Sequence, residues 1–210
     1  MGQFEGFPRT DEWLSTLPDG LDSYPEAVVK GSFVRGVLEN PPEGFDLSRL
    51  PEPVQAMFDP LPLPSGWVPE AHMIALNGTL REAFFGSDED YLDWGERNLR
   101  ATLSGPLYRV IFAVLSPGRL SRGASKRWRA LRRGTEREHL ERNQNGNLGR
   151  ITYPENLYER LYLDVLLRGL RTVYGLSGAK NPVVNVLEYT PTYAVTEVIY
   201  DRSKSRGPRI

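Results

Sequence analysis

The chain has 210 residues, 26 Lys and Arg against 27 Asp and Glu, and no cysteine. That length suits one domain with tails, and a net charge of −1 sets up no global field that would draw nucleic acid or a membrane surface. The missing thiols exclude disulfides, thiolate metal sites and a cysteine nucleophile; with no signal-peptide start and no apolar run near ~20 residues, the expectation is a cytoplasmic protein without a membrane span.

Residues 1–25, punctuated by Pro8, Pro18 and Pro25, read as an N-terminal arm with one short helix near Asp11–Leu17, where Trp13 and Leu14 offer a docking face. Residues 27–39 read as a first element: Phe33, Val34, Val37 and Leu38 are helically spaced, Ser32 is placed to cap them, and Pro41-Pro42 ends the run. The proline-rich stretch 40–70 connects, around a short helix near Leu47–Phe58.

Four helices are expected next. One follows Pro69, with Ile74, Leu76, Leu80, Ala83 and Phe84 on its buried side. Another starts at Ser87, with Asp90 at capping-box spacing; Tyr91, Trp94, Asn98 and Thr102 form a stripe beside Leu92, Leu99 and Leu103. A third, apolar all round and so buried, runs about Pro106–Leu115, and the fourth follows Pro117 with Leu120, Ala124, Trp128 and Leu131 at helical spacing.

At Gly134 the period changes. Thr135–Arg142 and Leu148–Tyr153 read as strands around Asn145-Gly146, a pair suited to a tight hairpin. The last helix is expected over Glu155–Leu176, with Arg160, Asp164, Arg168 and Arg171 opposite its apolar rows and Gly175 and Gly178 at its end. Gly169 interrupts the apolar side, where a glycine costs about 1 kcal/mol relative to alanine, so a close approach by a strand or ligand is expected there. Strands Val183–Tyr189 and Val195–Tyr200 then complete an antiparallel sheet of four. The fold class is α+β: an N-terminal helical bundle on a small C-terminal antiparallel sheet with a long helix, over residues 26–201, followed by a disordered basic tail at 202–210.

No catalytic constellation emerges. The two histidines, His72 and His139, read as surface or capping residues, and no set of ligands converges on a metal. Ser116, Ser121 and Ser125 sit in no nucleophile elbow, no phosphate loop is present, and the pairs Asp88/Asp90 and Glu136/Glu138 read as solvated charge. The basic run Arg119, Arg122, Lys126, Arg127, Arg129, Arg132, Arg133 and Arg137 reads first as a solvated or partner-facing helix, with an anionic ligand or acidic protein as the rival and nucleic acid disfavoured. Phe84, Phe85, Tyr91, Trp94, Tyr108, Phe112, Trp128, Tyr158, Tyr162 and Tyr174 read as core or as pocket lining, with Tyr158 and Tyr162 one turn apart as a polar-tipped wall.

Several of these segments, in this order, resemble a known group. Val29-Lys-Gly-Ser-Phe-Val-Arg-Gly36 resembles the opening of haem nitric-oxide-binding domains. Gly66-Trp-Val-Pro69, Trp94-Gly-Glu-Arg97 and Leu107-Tyr-Arg through Lys126-Arg-Trp128 continue the pattern, and Leu167-Arg-Gly-Leu170 through Gly178-Ala-Lys180 to Glu188 is similar to the close of 4-vinyl-reductase-type ligand-binding domains. The resemblance spans about residues 27–201 and is nearest to a paralogous family abundant in myxobacteria. It implies the superfamily that also holds the TRAPP vesicle-tethering subunits, whose members bind apolar or flat ligands between helices and sheet, or dimerise, and are generally not enzymes.

Two departures qualify what the resemblance implies. Haem sensors of this group need a proximal histidine, and Val110–Trp128 has none; neither Tyr153-Pro-Glu-Asn-Leu157 nor Tyr158-Glu-Arg-Leu-Tyr162 supplies their Tyr-x-Ser-x-Arg motif. The cysteines frequent near the final hairpin of vinyl-reductase relatives are replaced by Glu188-Tyr-Thr-Pro-Thr-Tyr193. The expectation is a non-catalytic sensor or regulatory domain with no cofactor and no haem ligation, taking an apolar or aromatic small molecule at Trp94, Tyr108, Phe112, Trp128, Tyr158, Tyr162 and Gly169. The alternative is an interaction module with a filled core that forms a homodimer or holds a protein partner.

Overall fold

The computed structural model describes residues 4–103, 116–141 and 146–201. The expected helix at 106–115, the hairpin residues at 142–145 and the tail from 202 lie outside the described residues.

Helix α1 (Pro8–Ser15) begins at a proline, which needs no N–H there. Its open amide ends are met from a distance: the Glu82 carboxylate accepts from the Arg9 and Thr10 amides at 3.0 and 3.2 Å. Close contact between the two elements depends on Gly78, where a Cβ would fall 2.5 Å from the Thr10 hydroxyl oxygen.

The segment 27–39 is not one helix. It opens with strand β1 (Val28–Lys30) and turns at Gly31 into α2 (Ser32–Glu39). Ser32 is the first helical residue and caps nothing, and Leu38 is exposed while Val34 and Val37 are buried. After α3 (Glu52–Gln55), flanked by single 3₁₀ turns at Leu47–Arg49 and Ala56–Phe58, strand β2 (Trp67–Pro69) pairs antiparallel with β1.

Helix α4 (Glu70–Phe84) is the buried axis of the helical half, with nearly every position from Glu70 to Leu80 inside. Helix α5 (Asp88–Leu103) starts as its sequence foretells: Ser87 Oγ accepts from the Asp90 amide at 3.1 Å and donates to the Asp90 carboxylate at 2.6 Å. The helix expected after Pro117 is two, α6 (Pro117–Arg122) and α7 (Ala124–Leu131), broken at Gly123. Leu131 is exposed rather than part of the apolar row.

Strand β3 (Arg132–Arg133) closes the first sheet in the order β2-β1-β3. Gly134 then takes φ +70° to turn into β4 (Glu136–Glu141), and a Cβ there would lie 2.6 Å from Ala27 Cα, so no other residue fits this corner. The second sheet runs β4-β5-β7-β6, antiparallel throughout, with β5 at Gly146–Thr152, β6 at Lys180–Tyr189 and β7 at Tyr193–Asp201. Ile151, Ala194, Thr196 and Val198 are fully enclosed on its inner face.

Helix α8 (Arg160–Leu176) crosses that face and starts five residues later than its apolar rows suggest. Tyr153–Leu157 is committed elsewhere: the Tyr153 and Asn156 amides donate to Thr192 O and Pro191 O at 2.9 and 2.7 Å, and Asn156 takes φ +58°. Gly178, at φ +93°, follows its end. The architecture is α+β, a helical bundle packed on a small antiparallel sheet with one long helix. Among the described residues no helix is long and apolar enough to cross a membrane.

Candidate functional site

The interior where helices meet sheet holds two buried arginines five residues apart, and their surroundings differ. Arg132 sits on β3, 5 % exposed. Its Nε lies 3.0 Å from Glu70 Oε1, an ion-pair approach without hydrogen-bond alignment, and Glu70 is wholly enclosed at the start of α4. The same oxygen accepts from the Tyr158 hydroxyl at 2.7 Å and the Tyr162 hydroxyl at 3.2 Å, and Arg132 Nη2 donates to the Tyr162 hydroxyl at 3.0 Å.

Aromatic rings close the cluster. Tyr153 stacks on Tyr158 with centroids 4.5 Å apart, Tyr158 meets Tyr162 edge-on, and the Arg132 guanidinium lies 4.9 Å from the Trp128 ring and 5.2 Å from Phe33. Trp128 Nε1 donates to Thr135 Oγ1 at 3.1 Å. Burial pushes the Glu70 carboxyl up from its usual range, opposed by the Arg132 charge and the two tyrosine hydroxyls. Burial also pushes both tyrosines up, so they stay protonated and donate. Glu70 Oε2 and Arg132 Nε are left without a hydrogen bond.

Arg137, on β4, is 8 % exposed and is the one inward-facing residue of that strand. No carboxylate lies within ion-pair distance of it among the described residues, and 1–3, 104–115, 142–145 and 202–210 contain no Asp or Glu. Its guanidinium passes over Gly149, where a Cβ would stand 3.8 Å from both Nε and Nη2. Burial pulls the guanidinium down from its ordinary value, and Tyr174 is what offsets this. The Tyr174 hydroxyl accepts from Asn147 Nδ2 at 2.8 Å, with both residues buried. Arg137 Nε has no hydrogen-bond partner, and neither does Oγ of Ser121, 3 % exposed on α6. Tyr174 itself belongs, with Leu120, Ala179 and Val198, to an apolar cluster separate from the main core.

An arginine stays charged at any physiological pH, so Arg137 is a buried cation without a counter-ion. Such a group is costly and is normally paired. Chemically, this arrangement can receive an anionic group.

Of the seven residues singled out in the sequence, Trp128, Tyr158 and Tyr162 are brought together around Arg132. The hydroxyls of Tyr158 and Tyr162 converge on Glu70, while Trp128 Nε1 turns to Thr135. Trp94 lies apart, against Phe85 and Tyr91. Gly169 faces α5: a Cβ there would touch Leu99 Cδ2 at 3.5 Å, so the close neighbour is a helix. Tyr108 and Phe112 lie outside the described residues.

The exposed basic face is as expected at Arg122, Lys126, Arg129 and Arg133, but Arg132 and Arg137 of the same run are interior. Sequence reasoning missed Glu70, Arg132 and Arg137 as site residues. Their one signal is that each stands beside a turn-forming Pro or Gly or on a strand whose neighbours point outward, which is weak. His72 occupies the first turn of α4, its pKa lowered by partial burial against the opposing charge of Asp22, and His139 is exposed on β4 with Nδ1 3.2 Å from Leu148 O. Among the described residues no group of three or more metal-ligating side chains converges.

No protein-family model and no curated protein matches the sequence. Solved structures do match in shape. A Tt H-NOX variant superposes with a TM-score of 0.57 at 10 % identity, covering 82 % of this chain and 95 % of its own. The Fe(II) unliganded H-NOX protein from K. algicida gives 0.55 at 12 % identity, covering 83 % and 98 %. An oxygen-binding H-NOX domain related to soluble guanylate cyclases gives 0.50 at 10 %, covering 94 % and 95 %. The chain has the fold of H-NOX domains, the haem nitric-oxide-binding architecture; at these identities the likeness is one of fold.

Proposed function

We propose that this chain is a non-catalytic sensor or regulatory domain that binds a small molecule carrying an anionic group, without haem ligation. The observation that carries this reading is Arg137: a buried guanidinium on the inner side of β4, with no carboxylate in ion-pair reach and Tyr174 of α8 as its polar neighbour. A carboxylate or phosphate placed there would supply the missing counter-charge, and the Leu120, Tyr174 and Val198 surroundings suit an apolar body attached to it.

The fold implies haem, and the residues present do not fit it. His139 is on an exposed strand face and His72 is in the first turn of α4, so neither side chain belongs to the enclosed junction. That junction is taken up by Glu70, Arg132, Tyr158 and Tyr162, which bond one another. The non-enzyme reading is supported by the engagement of Glu70, Arg132, Tyr158 and Tyr162 with one another and by the lack, in the sequence, of a nucleophile elbow or phosphate loop.

Native mass spectrometry of the freshly purified chain, with a haemin titration followed in the Soret region, tests the reading. The expected result is a co-purified or added organic anion at one equivalent and no histidine-ligated haem spectrum. Stoichiometric, saturable haem binding with such a spectrum would overturn it.

A further inference from the structure

The two edges of the C-terminal sheet are built differently. The β4 edge is short and charged, with Glu136, Glu138 and Glu141 exposed, as edges that resist pairing are. The β6 edge is ten residues long. Its core reads Val183-Val184-Asn185-Val186-Leu187, with no charge between Lys180 and Glu188. Val183 and Leu187 are 49 % and 56 % exposed, and no described strand pairs with the outer side of β6. Beside it, a cleft of about 360 Å³ between α5, α8 and β6 includes Pro182, Val183 and Val184, so the edge is open on its helical side as well.

What covers this edge is written in its own order. The segment is nearly palindromic about Asn185: a valine on each side, then Val183 matched by Leu187, bounded by Pro182 and Glu188. In an antiparallel pair of identical strands related by a two-fold axis residue 185 + n meets residue 185 − n of the other copy, so this order sets valine against valine and valine against leucine. The faces also agree. Val183, Asn185 and Leu187 are exposed, whereas Val184 and Val186 are half-buried against the core, so each proposed partner shares a face with its mate. Register with β7 is regular from Val183 to Val186, and Leu187 is the extra residue of the bulge that follows, which pushes it outward.

We propose that β6 is the two-fold interface of a homodimer, in which the edge strands of two copies pair antiparallel about Asn185 and join the two sheets into one. Val183 then lies opposite Leu187 of the second copy, Val184 opposite Val186, and the two Asn185 amides face each other across the axis. The proposal stands independently of the ligand reading, since Arg137 lies on the opposite edge strand and faces inward.

The chain contains no cysteine, so Asn185→Cys introduces a single thiol at the axis. Directly opposed antiparallel residues have Cα atoms about 4.5–5.5 Å apart, within disulfide range. Mild oxidation of Asn185→Cys is expected to give a linked species of twice the 23.8 kDa chain, while Glu138→Cys on the charged edge does not. Sedimentation of Val183→Lys and of Leu187→Glu alone is expected to show monomers. An equimolar mixture is expected to restore the dimer, since the new lysine faces the new glutamate, and this recovery also establishes that both variants fold. A wild-type chain that stays monomeric at every concentration would overturn the proposal. So would Asn185→Cys crosslinking no faster than Glu138→Cys, or a dimer untouched by both charge variants.

Discussion

Arg132 and Arg137 leave the same short stretch of chain, end up equally hidden, and meet opposite treatment. Arg132 is given a carboxylate, a hydroxyl and three aromatic faces. Arg137 is given Tyr174 and an apolar surround, with one guanidinium nitrogen unbonded. A buried ion pair braced by tyrosine hydroxyls holds elements together: Glu70 opens α4, Arg132 closes the small sheet, Tyr158 precedes α8 and Tyr162 lies in its first turn. A buried ion with no carboxylate opposite it costs the folded chain desolvation that Tyr174 only partly offsets.

The sharpest way to break this contrast is to remove the carboxylate from the paired site. Glu70→Gln leaves Arg132 buried and uncompensated, and is expected to lower urea-unfolding stability by about 3–5 kcal/mol. Adding Arg132→Met to it should recover most of that loss. Next in size, Tyr158→Phe removes the shorter hydroxyl bond to Glu70, and the same measurement should show a loss of about 1–3 kcal/mol. At the unpaired site the sign reverses. Arg137→Met is expected to leave stability unchanged or to raise it by about 1 kcal/mol, because it removes a desolvated charge that no carboxylate balances.

The smallest effect concerns pH. Glu159, just ahead of α8, has its carboxyl pushed up to about 7 by burial, with Arg9 pulling it down and Glu82 and Asp88 adding repulsion. The folded chain therefore holds this proton above pH 4.5, where the unfolded chain releases it. Its contribution is fully present below pH 4.5 and is lost as the pH rises through about 7. Glu159→Gln should flatten the fall in melting temperature over that window.

Much of the scaffold was legible because it is periodic. The Ser87–Asp90 cap, the apolar row of α4 and the alternation of β6 and β7 each repeat often enough for a pattern to stand out. The first sheet was not, since strands of three, three and two residues are too short to show a period of two. The late start of α8 was also hidden, because Leu157 and Tyr158 continue its apolar rows while the backbone just before them, at Tyr153 and Asn156, is held by the turn at Pro191-Thr192. Spacing put Tyr158 and Tyr162 one turn apart, and the structure gathers them with Trp128 around Arg132. The charged part was missed because Glu70, Arg132 and Arg137 look like surface charge, and their burial is set by which strands meet in space. A helical reading of 119–133 even predicts an outward face, which four of its basic residues do adopt.

The central claim is that the charge of Arg137 is kept for an anion. Its most direct test is thermal unfolding of the wild-type chain and of Arg137→Met against a series of apolar carboxylic acids and their matched amides. Binding to the folded state alone raises the midpoint with ligand concentration. The account predicts that at least one acid stabilises the wild type, that its amide does not, and that Arg137→Met responds to neither. An acid that stabilises both proteins equally, or a wild type indifferent to every anion, would contradict it.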